Sequence, residues 1–269
     1  MWILTRSEYS DYSEYSDYSE YSDYSEYSDY SEYSEYSDDM KKPIKFIAFD
    51  ADDTLWDCQG HFERVMQELY TLLEPWTDRQ KAAEELFATE RKNMPLLGYG
   101  TKAFSLSMIE TALRVSHHEM AGDKLAWLQD ECYSLLNLPA TPLPEVDETL
   151  RELQRRGWHM AVFTKGELLD QEHKLQRSRL SRYFEYVEIT SDKTEREFQA
   201  LCRHLGIKPE ELLMVGNSMK SDIAPALAIG AQAVHIPFHI TWELEHAETV
   251  DHEGLTCITH FSELLHVVG

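Results

Sequence analysis

Three aspartates, Asp50, Asp52 and Asp53, stand together directly after a short apolar run at residues 44–49. A run of this kind is typical of a strand that is buried on both faces of a parallel sheet. Clustered carboxylates repel one another unless a cation lies among them, and oxygen ligands suit Mg²⁺. The same cluster also fits a solvated turn before a helix, so the rest of the chain must decide between the two interpretations.

Three further polar features follow later apolar runs, and each has a catalytic and a structural interpretation. Thr164 offers a hydroxyl to a phosphate oxygen, although threonine is also a common helix cap. Lys193 can offset carboxylates and hold a phosphoryl oxygen, although most lysines are surface residues. Asn217 and Asp222 suit a metal or phosphate site, although a turn followed by a capped helix has the same composition.

The order of elements explains how these residues can meet. After residues 44–49, apolar runs recur at 160–164, 186–190, 212–216 and 233–236, each separated from the next by a helical stretch. This alternation predicts an α/β fold with a doubly wound parallel sheet. Because ligands of such sheets bind at the carboxyl ends of the strands, the polar features are expected at one edge.

The interval between the first two runs is too long for a single crossover. Its apolar residues recur with helical spacing and predict an inserted bundle of about four helices. The proline-rich segment 138–144 predicts the hinge back to the sheet, and a helix is expected to begin at Pro144. We therefore predict a catalytic core at 40–57 and 144–269 and a helical domain at 58–143.

Taken in order, these features resemble the four motifs of the haloacid dehalogenase-like superfamily. The DxDxT motif corresponds to residues 50–54, followed by the strand-terminal Thr164, then Lys193, then the GNxxxxD segment at 216–222. The resemblance extends from about residue 42 to the end of the chain, with the helical insert in the place of that family's cap. It implies a phosphatase rather than a dehalogenase, because Asp52 supplies the acid that a phosphate ester needs and a halide does not.

The resemblance also implies roles for individual residues. Asp50 is the expected nucleophile and forms an aspartyl-phosphate, while Asp52 protonates the leaving oxygen and then activates water. Thr164 and Lys193 bind the transferred group. Mg²⁺ is the implied cofactor, and its expected ligands are Asp50, the main-chain carbonyl of Asp52, Asn217 and Asp222. Asp53 departs from the pattern, since phosphatases of this family often have glycine there.

Two other functions use the same pattern. A phosphotransferase, such as a sugar phosphomutase, differs only in whether a hydroxyl replaces water as the acceptor of the phosphoryl group. A non-catalytic binding module could also be built on this fold, although the intact pair Asp50 and Asp52 argues against it. The sequence leaves the substrate and the oligomeric state open.

A helical cap would exclude water during transfer and would favour small phosphorylated metabolites as substrates. Candidate substrate contacts are Trp56, Tyr99, Lys102 and Lys165. Packing aromatics and a helix-connecting turn are the structural alternatives for the first three. A loop that includes Trp242 has no purpose that the sequence reveals.

Residues 1–39 are dominated by a repeat of Tyr-Ser-Glu and Tyr-Ser-Asp triplets, which we interpret as disordered because it has almost nothing apolar to bury. This segment has twelve carboxylates against Arg6, so it accounts for −11 of the net charge of −24 and leaves −13 for the rest. Such an acidic chain is not expected to bind nucleic acid or an anionic membrane. No apolar stretch suits a membrane span, and four widely spaced cysteines suit reduced thiols, so a cytoplasmic location is expected.

Overall fold

The computed structural model describes residues 44–239, 242, 245 and 250–269. The predicted repeat at 1–39 and the start of the core at residue 40 lie outside the described residues. Six parallel strands form one sheet in the order β3-β2-β1-β4-β5-β6. In chain order they are β1 (Phe46–Phe49), β2 (His159–Lys165), β3 (Tyr186–Thr190), β4 (Leu212–Gly216), β5 (Gln232–His235) and β6 (Leu255–Cys257).

In the described part of the chain, nine α-helices connect or cover these strands. They are α1 (Gln59–Leu73), α2 (Arg79–Leu97), α3 (Thr101–Val115), α4 (Gly122–Leu135), α5 (Val146–Arg155), α6 (Leu168–Ser178), α7 (Glu195–Leu205), α8 (Ala224–Ala228) and α9 (Leu264–Val267). The predicted doubly wound sheet is confirmed. The sequence did not reveal β6, because this strand has only three residues, none of which is fully buried.

The position of β1 in the sheet determines where the aspartates lie. Strand β1 pairs with β2 on one side and β4 on the other, and Phe49 is in register with Val162 and Val215. The Asp50 backbone N–H continues the ladder by donating to the carbonyl of Val215 at 2.9 Å. Because the strand order reverses around β1 and β4, their carboxyl ends open onto the crevice where ligands of such sheets bind.

Strand β1 is held by apolar contacts on both faces of the sheet. Ile47 and Phe49 pack into the core cluster on one face, and Ala48 packs with Phe163 and Phe198 on the other. All five side chains have 0 % exposure. Burial of each large side chain contributes roughly 1.5–3 kcal/mol, so the backbone that carries Asp50 is firmly anchored.

The insert between β1 and β2 contains the four helices α1 to α4, as predicted, and it has a separate apolar cluster. Val65 and Leu69 of α1, Met108 of α3 and Leu128 of α4 are fully buried within it. That this insert is a cap domain bounded at 58 and 143 stays a prediction. Over the ranges that the structure describes, no helix has both the length and the apolar character needed to cross a membrane.

Candidate active site

Asp50 lies directly after β1 and is 7 % exposed. Its Oδ2 accepts a hydrogen bond from the Thr54 hydroxyl at 3.2 Å, and its Oδ1 lies 2.5 Å from the ammonium nitrogen of Lys193. Burial and the neighbouring charge of Asp222 raise the pKa of Asp50 to about 7, although Lys193 opposes the shift. Asp50 is therefore a buried carboxylate that depends on a nearby cation to remain ionised near neutral pH.

Lys193 follows β3 and joins two carboxylates. Its Nζ lies 2.6 Å from Oδ1 of Asp222 as well as 2.5 Å from Asp50. Burial lowers the pKa of Lys193, but the charges of Asp222 and Asp50 outweigh burial and raise it. The ammonium is therefore charged and occupies the space between the two carboxylates.

The turn after β4 places Asn217 and Asp222. Ser218 begins a π-helical turn, Met219–Ile223, and its backbone N–H donates to Asp222 Oδ2 at 2.9 Å. A Cβ atom on Gly216 would lie only 2.3 Å from the same carboxylate oxygen, so glycine is required here to leave room for Asp222. Asn217 points its amide oxygen towards the Thr54 hydroxyl at 3.2 Å.

The donor atoms at this edge fit Mg²⁺. Among the described residues, no three His, Cys, Asp or Glu side chains are grouped as metal ligands. The available oxygens are the carboxylates of Asp50 and Asp222, which converge on the Lys193 ammonium, and the amide of Asn217. Hard oxygen ligands of this kind match magnesium, which keeps several waters and needs only one or two protein carboxylates.

Asp52 is held by four hydrogen bonds from three side chains. The Trp56 indole N–H donates to Oδ1 and the Gln171 amide to Oδ2, both at 2.8 Å, while the Lys174 ammonium lies 2.8 and 2.7 Å from Oδ1 and Oδ2. Burial would raise the pKa of Asp52, but the charge and hydrogen bonds of Lys174, with those of Gln171 and Trp56, lower it. In this arrangement Asp52 is an ionised base.

Asp53 accepts hydrogen bonds from backbone groups at the start of α1. Its Oδ1 accepts from the backbone N–H groups of Cys58 and Gln59, each at 2.8 Å, which satisfies free donors at the start of the helix. Its φ is +62°, a conformation that glycine adopts without strain. Aspartate tolerates the left-handed region better than most residues.

Thr164 lies at the end of β2, is 2 % exposed and lines the cavity beside Asp50. Gln171 and Lys174, both on α6, were not identified from the sequence, although they contact Asp52 directly. The sequence carried no clear signal for these contacts, because α6 is mostly polar and only the structure shows that Asp170, Gln171 and Lys174 are buried on one face. Buried polar residues require polar partners, and here the partner is the loop that carries Asp50 and Asp52.

The four candidate substrate contacts have different positions. Tyr99 and Lys165 line the cavity, and the Lys165 ammonium lies 3.9 Å from the centre of the Tyr99 ring. Trp56 is 1 % exposed and donates to Asp52, so the expected contact with substrate is corrected to a contact with the loop that carries Asp50 and Asp52. Lys102 is also corrected, because its side chain is 58 % exposed and pairs with Glu167.

The cavity has a volume of about 170 Å³, room for on the order of ten water molecules. The strand ends provide its floor, and the helical insert provides apolar walls that include Phe62 and Phe104. Two hydrogen bonds join the insert to the core beside the cavity. The Thr101 hydroxyl donates to Asp170 at 2.9 Å, and the Lys102 backbone N–H donates to Glu167 at 2.9 Å. Trp242, whose role the sequence left open, also lines the cavity and packs edge-on against Tyr99 at 5.9 Å.

Comparisons with known proteins agree with this geometry. Residues 44–230 match the model of the haloacid dehalogenase-like hydrolases. The chain is 26 % identical to glyceraldehyde 3-phosphate phosphatase of Methanothermobacter thermautotrophicus, over 84 % of this chain and 100 % of that protein. It is 27 % identical to human N-acylneuraminate-9-phosphatase, over 71 % and 81 % of the two chains. A crystal structure of a haloacid dehalogenase-like family hydrolase from Xanthomonas campestris superposes with a TM-score of 0.76 at 28 % identity, covering 84 % of this chain and 90 % of that one.

Proposed function

The chain belongs to the haloacid dehalogenase-like hydrolases, and on that premise we propose that it is a magnesium-dependent phosphatase of small phosphate monoesters with Asp50 as the nucleophile. The observation that carries the proposal is the placement of Asp50. Its buried carboxylate faces the Lys193 ammonium and lines a cavity of about 170 Å³. A nucleophile, a cation for phosphoryl oxygens and a space for substrate therefore adjoin one another.

In the proposed first step, a carboxylate oxygen of Asp50 attacks phosphorus and the ester P–O bond breaks. The leaving oxygen takes a proton from Asp52. In the second step, Asp52 removes a proton from water, the water oxygen bonds to phosphorus, and the P–O bond to Asp50 breaks to release inorganic phosphate. Two displacements replace one slow hydrolysis, which is the advantage of a covalent intermediate.

Lys193 and Thr164 have the proposed role of binding the phosphoryl oxygens. Lys193 is buried and charged, so it can stabilise negative charge in the transition state without reorganising water. Thr164 supplies a hydroxyl donor from the end of β2. Thr54 contributes by orienting Asp50 and Asn217, because its hydroxyl lies 3.2 Å from an oxygen of each.

Mg²⁺ would be held by Asp50, Asp222, Asn217 and the main-chain carbonyl of Asp52. When bound, it would neutralise charge on the nucleophile and on the phosphoryl group. With a metal held by Asp50 and Asp222, Lys193 would no longer be needed to offset these carboxylates and would be available to the phosphoryl oxygens. This exchange is supported by the position of the ammonium between the two carboxylates.

Asp52 must change partners to act as an acid. While Lys174 contacts both of its oxygens, the carboxyl is ionised and has no proton to give. Movement away from Lys174 would remove the main cause of the low pKa while burial remained, so Asp52 would gain a proton. Closure of the predicted cap over the cavity would provide a route to this movement, because Thr101 of the insert donates to Asp170, which lies 3.6 Å from Lys174.

The proposed substrates are small phosphorylated metabolites. A cavity with room for about ten waters suits a small molecule, and two relatives are named for small phosphate esters. Glyceraldehyde 3-phosphate releases a neutral alcohol and N-acylneuraminate 9-phosphate releases one with a carboxylate, so the two relatives do not share one charge of the leaving group. The test is phosphate release from a panel of phosphate esters with and without Mg²⁺, using wild type and Asp50→Asn. We expect magnesium-dependent release by wild type only, and borohydride reduction of the acid-quenched enzyme should convert Asp50 to homoserine. Full activity of Asp50→Asn would disprove the nucleophile, and transfer to an added sugar in place of phosphate release would indicate a mutase.

A further inference from the structure

The cavity beside Asp50 has an excess of negative charge. Its described lining includes seven carboxylic acids but only three lysines, and no arginine or histidine. Each lysine already contacts a carboxylate: Lys193 contacts Asp50 at 2.5 Å, and Lys174 contacts Asp52 at 2.7 Å. The charge of a phosphate monoester and that of one Mg²⁺ nearly cancel, so a bound substrate leaves this excess in place.

Lys165, the third lysine of the cavity, has partners other than Asp50 and Asp52. Its Nζ lies 2.5 Å from Glu245 Oε1, donates to the Ser221 hydroxyl at 2.7 Å and lies 3.9 Å from the centre of the Tyr99 ring. An ammonium has three hydrogens, and these three partners account for all of them. A substrate anion could reach this ammonium only by displacing one of the partners.

Glu245 is fixed in place by the same network. Its second oxygen, Oε2, accepts from the hydroxyls of Ser218 and Ser221, each at 2.6 Å, and the residue is 9 % exposed. The charge of Lys165 is thus cancelled inside a closed set of hydrogen bonds. A buried pair of this kind is costly to separate, because removing one partner leaves the other charge uncompensated.

The rest of the lining suits an uncharged group. Phe62, Met66 and Phe104 provide apolar surface, while Asn93 and Ser107 provide amide and hydroxyl groups. Apolar walls with a few polar groups bind neutral ligands that combine carbon surface with hydroxyls. A carboxylate or second phosphate placed here would lose its hydration without gaining a cation.

We propose that the cavity selects phosphate monoesters whose leaving group has no negative charge, and that Glu245 enforces this selection by occupying Lys165. This inference rests on the proposed phosphatase function and narrows its substrate class. The neighbouring Tyr99 and Trp242 close the same side of the cavity, so the leaving group meets two rings and a neutralised ion pair.

The experiment compares kcat/KM for two matched pairs of substrates. One pair is glyceraldehyde 3-phosphate and 3-phosphoglycerate, and the other is ribulose 5-phosphate and ribulose 1,5-bisphosphate. We expect wild type to prefer the less charged member of each pair by about tenfold or more, because uncompensated like charges oppose binding strongly. Equal or reversed preference would overturn the inference while leaving the phosphatase proposal intact. Absence of turnover with every phosphate ester would overturn both.

Two substitutions should move this preference in opposite directions. Glu245→Gln frees the Lys165 ammonium and should reduce the preference for the less charged substrate by about tenfold. Lys165→Gln leaves Glu245 charged and should increase that preference. The matched control is Glu253→Gln, an exposed position that does not line the cavity, and its preference should equal that of wild type. If Glu245→Gln does not fold, Lys165→Gln still tests whether the pair sets the substrate preference. An unchanged preference in either folded variant would overturn the role of the pair.

Discussion

The Lys174 ammonium lies 2.7 and 2.8 Å from the two carboxylate oxygens of Asp52. Lys174 is a buried residue of α6, with 2 % of its side chain exposed, and it also lies 3.6 Å from Asp170. Asp170 accepts a hydrogen bond from Thr101 of the insert. A continuous set of polar contacts therefore runs from the insert to the proposed acid and base.

Lys174→Met should destabilise the protein by about 3 kcal/mol at neutral pH, because the change leaves Asp170 and Asp52 buried without their cation. The measurement is the free energy of unfolding by denaturant. The low pKa of Asp52 contributes stability that is present above its ordinary value of 3.8 and is lost as the pH falls. The cost of Lys174→Met should therefore shrink in acid. Lys124→Met, at an exposed position, is the control and should change little.

Asp52→Asn should reduce kcat/KM for alkyl phosphates by about 10²–10⁴-fold, because a poor leaving group needs a proton. p-Nitrophenyl phosphate has a leaving group that departs without protonation, so its kcat/KM should fall much less. The measurement is kcat/KM for both substrates with wild type and the variant, because this ratio reports the first step and not the hydrolysis of the shared aspartyl-phosphate, in which Asp52 also has a proposed role. Equal losses for the two substrates would contradict a role in protonating the leaving oxygen.

Gly216→Ala should lower kcat/KM by about 10²-fold, because the new Cβ would lie 2.3 Å from Asp222 Oδ2 and must displace that carboxylate. The matched control is Gly122→Ala, where an added Cβ has nothing within 4 Å. The control should retain the activity of wild type. Normal activity in Gly216→Ala would show that the position of Asp222 does not matter.

Asp222→Ala should raise the magnesium concentration needed for half-maximal activity more than Asn217→Ala does. Asp222 brings a negative charge to the proposed site, whereas Asn217 brings only an amide oxygen. For the same reason, Asn217→Asp should lower the concentration needed. The measurement is activity against magnesium concentration for the three variants and wild type. A wild-type titration curve for Asp222→Ala would exclude the proposed ligand set.

Asp53→Asn should stabilise the magnesium-free protein more at pH 8 than at pH 5. Burial raises the pKa of Asp53 from 3.8 to about 7, so the protonated form favours folding and this stability is lost as the pH rises through about 7. Asparagine keeps an oxygen for the two backbone donors and tolerates the φ of +62°. The measurement is the free energy of unfolding of wild type and the variant at the two pH values. A larger increase in this free energy at pH 5 than at pH 8 would contradict the prediction.

Patterns in the sequence were sufficient to predict the sheet and the order of the motifs. Buried parallel strands require continuous apolar runs, and the runs at Tyr186–Thr190 and Leu212–Gly216 coincide with observed strands. Because the carboxyl ends of such strands share one edge of the sheet, the proximity of Asp50 and Asp222 to Lys193 was also predictable from the order of the elements. Local patterns are sufficient here, since they depend on neighbours in the chain.

The side chains that contact Asp52 and those that line the cavity could not be predicted from the sequence, because they depend on tertiary packing. Trp56 is next to the motif in sequence yet is buried against Asp52, while Glu245 lies 80 residues from Lys165 and neutralises it. Lys174 and Gln171 reach Asp52 across more than a hundred residues. Such pairings depend on how α6 and the helical insert pack against the sheet, and side-chain packing between distant segments leaves no periodic signal in the sequence.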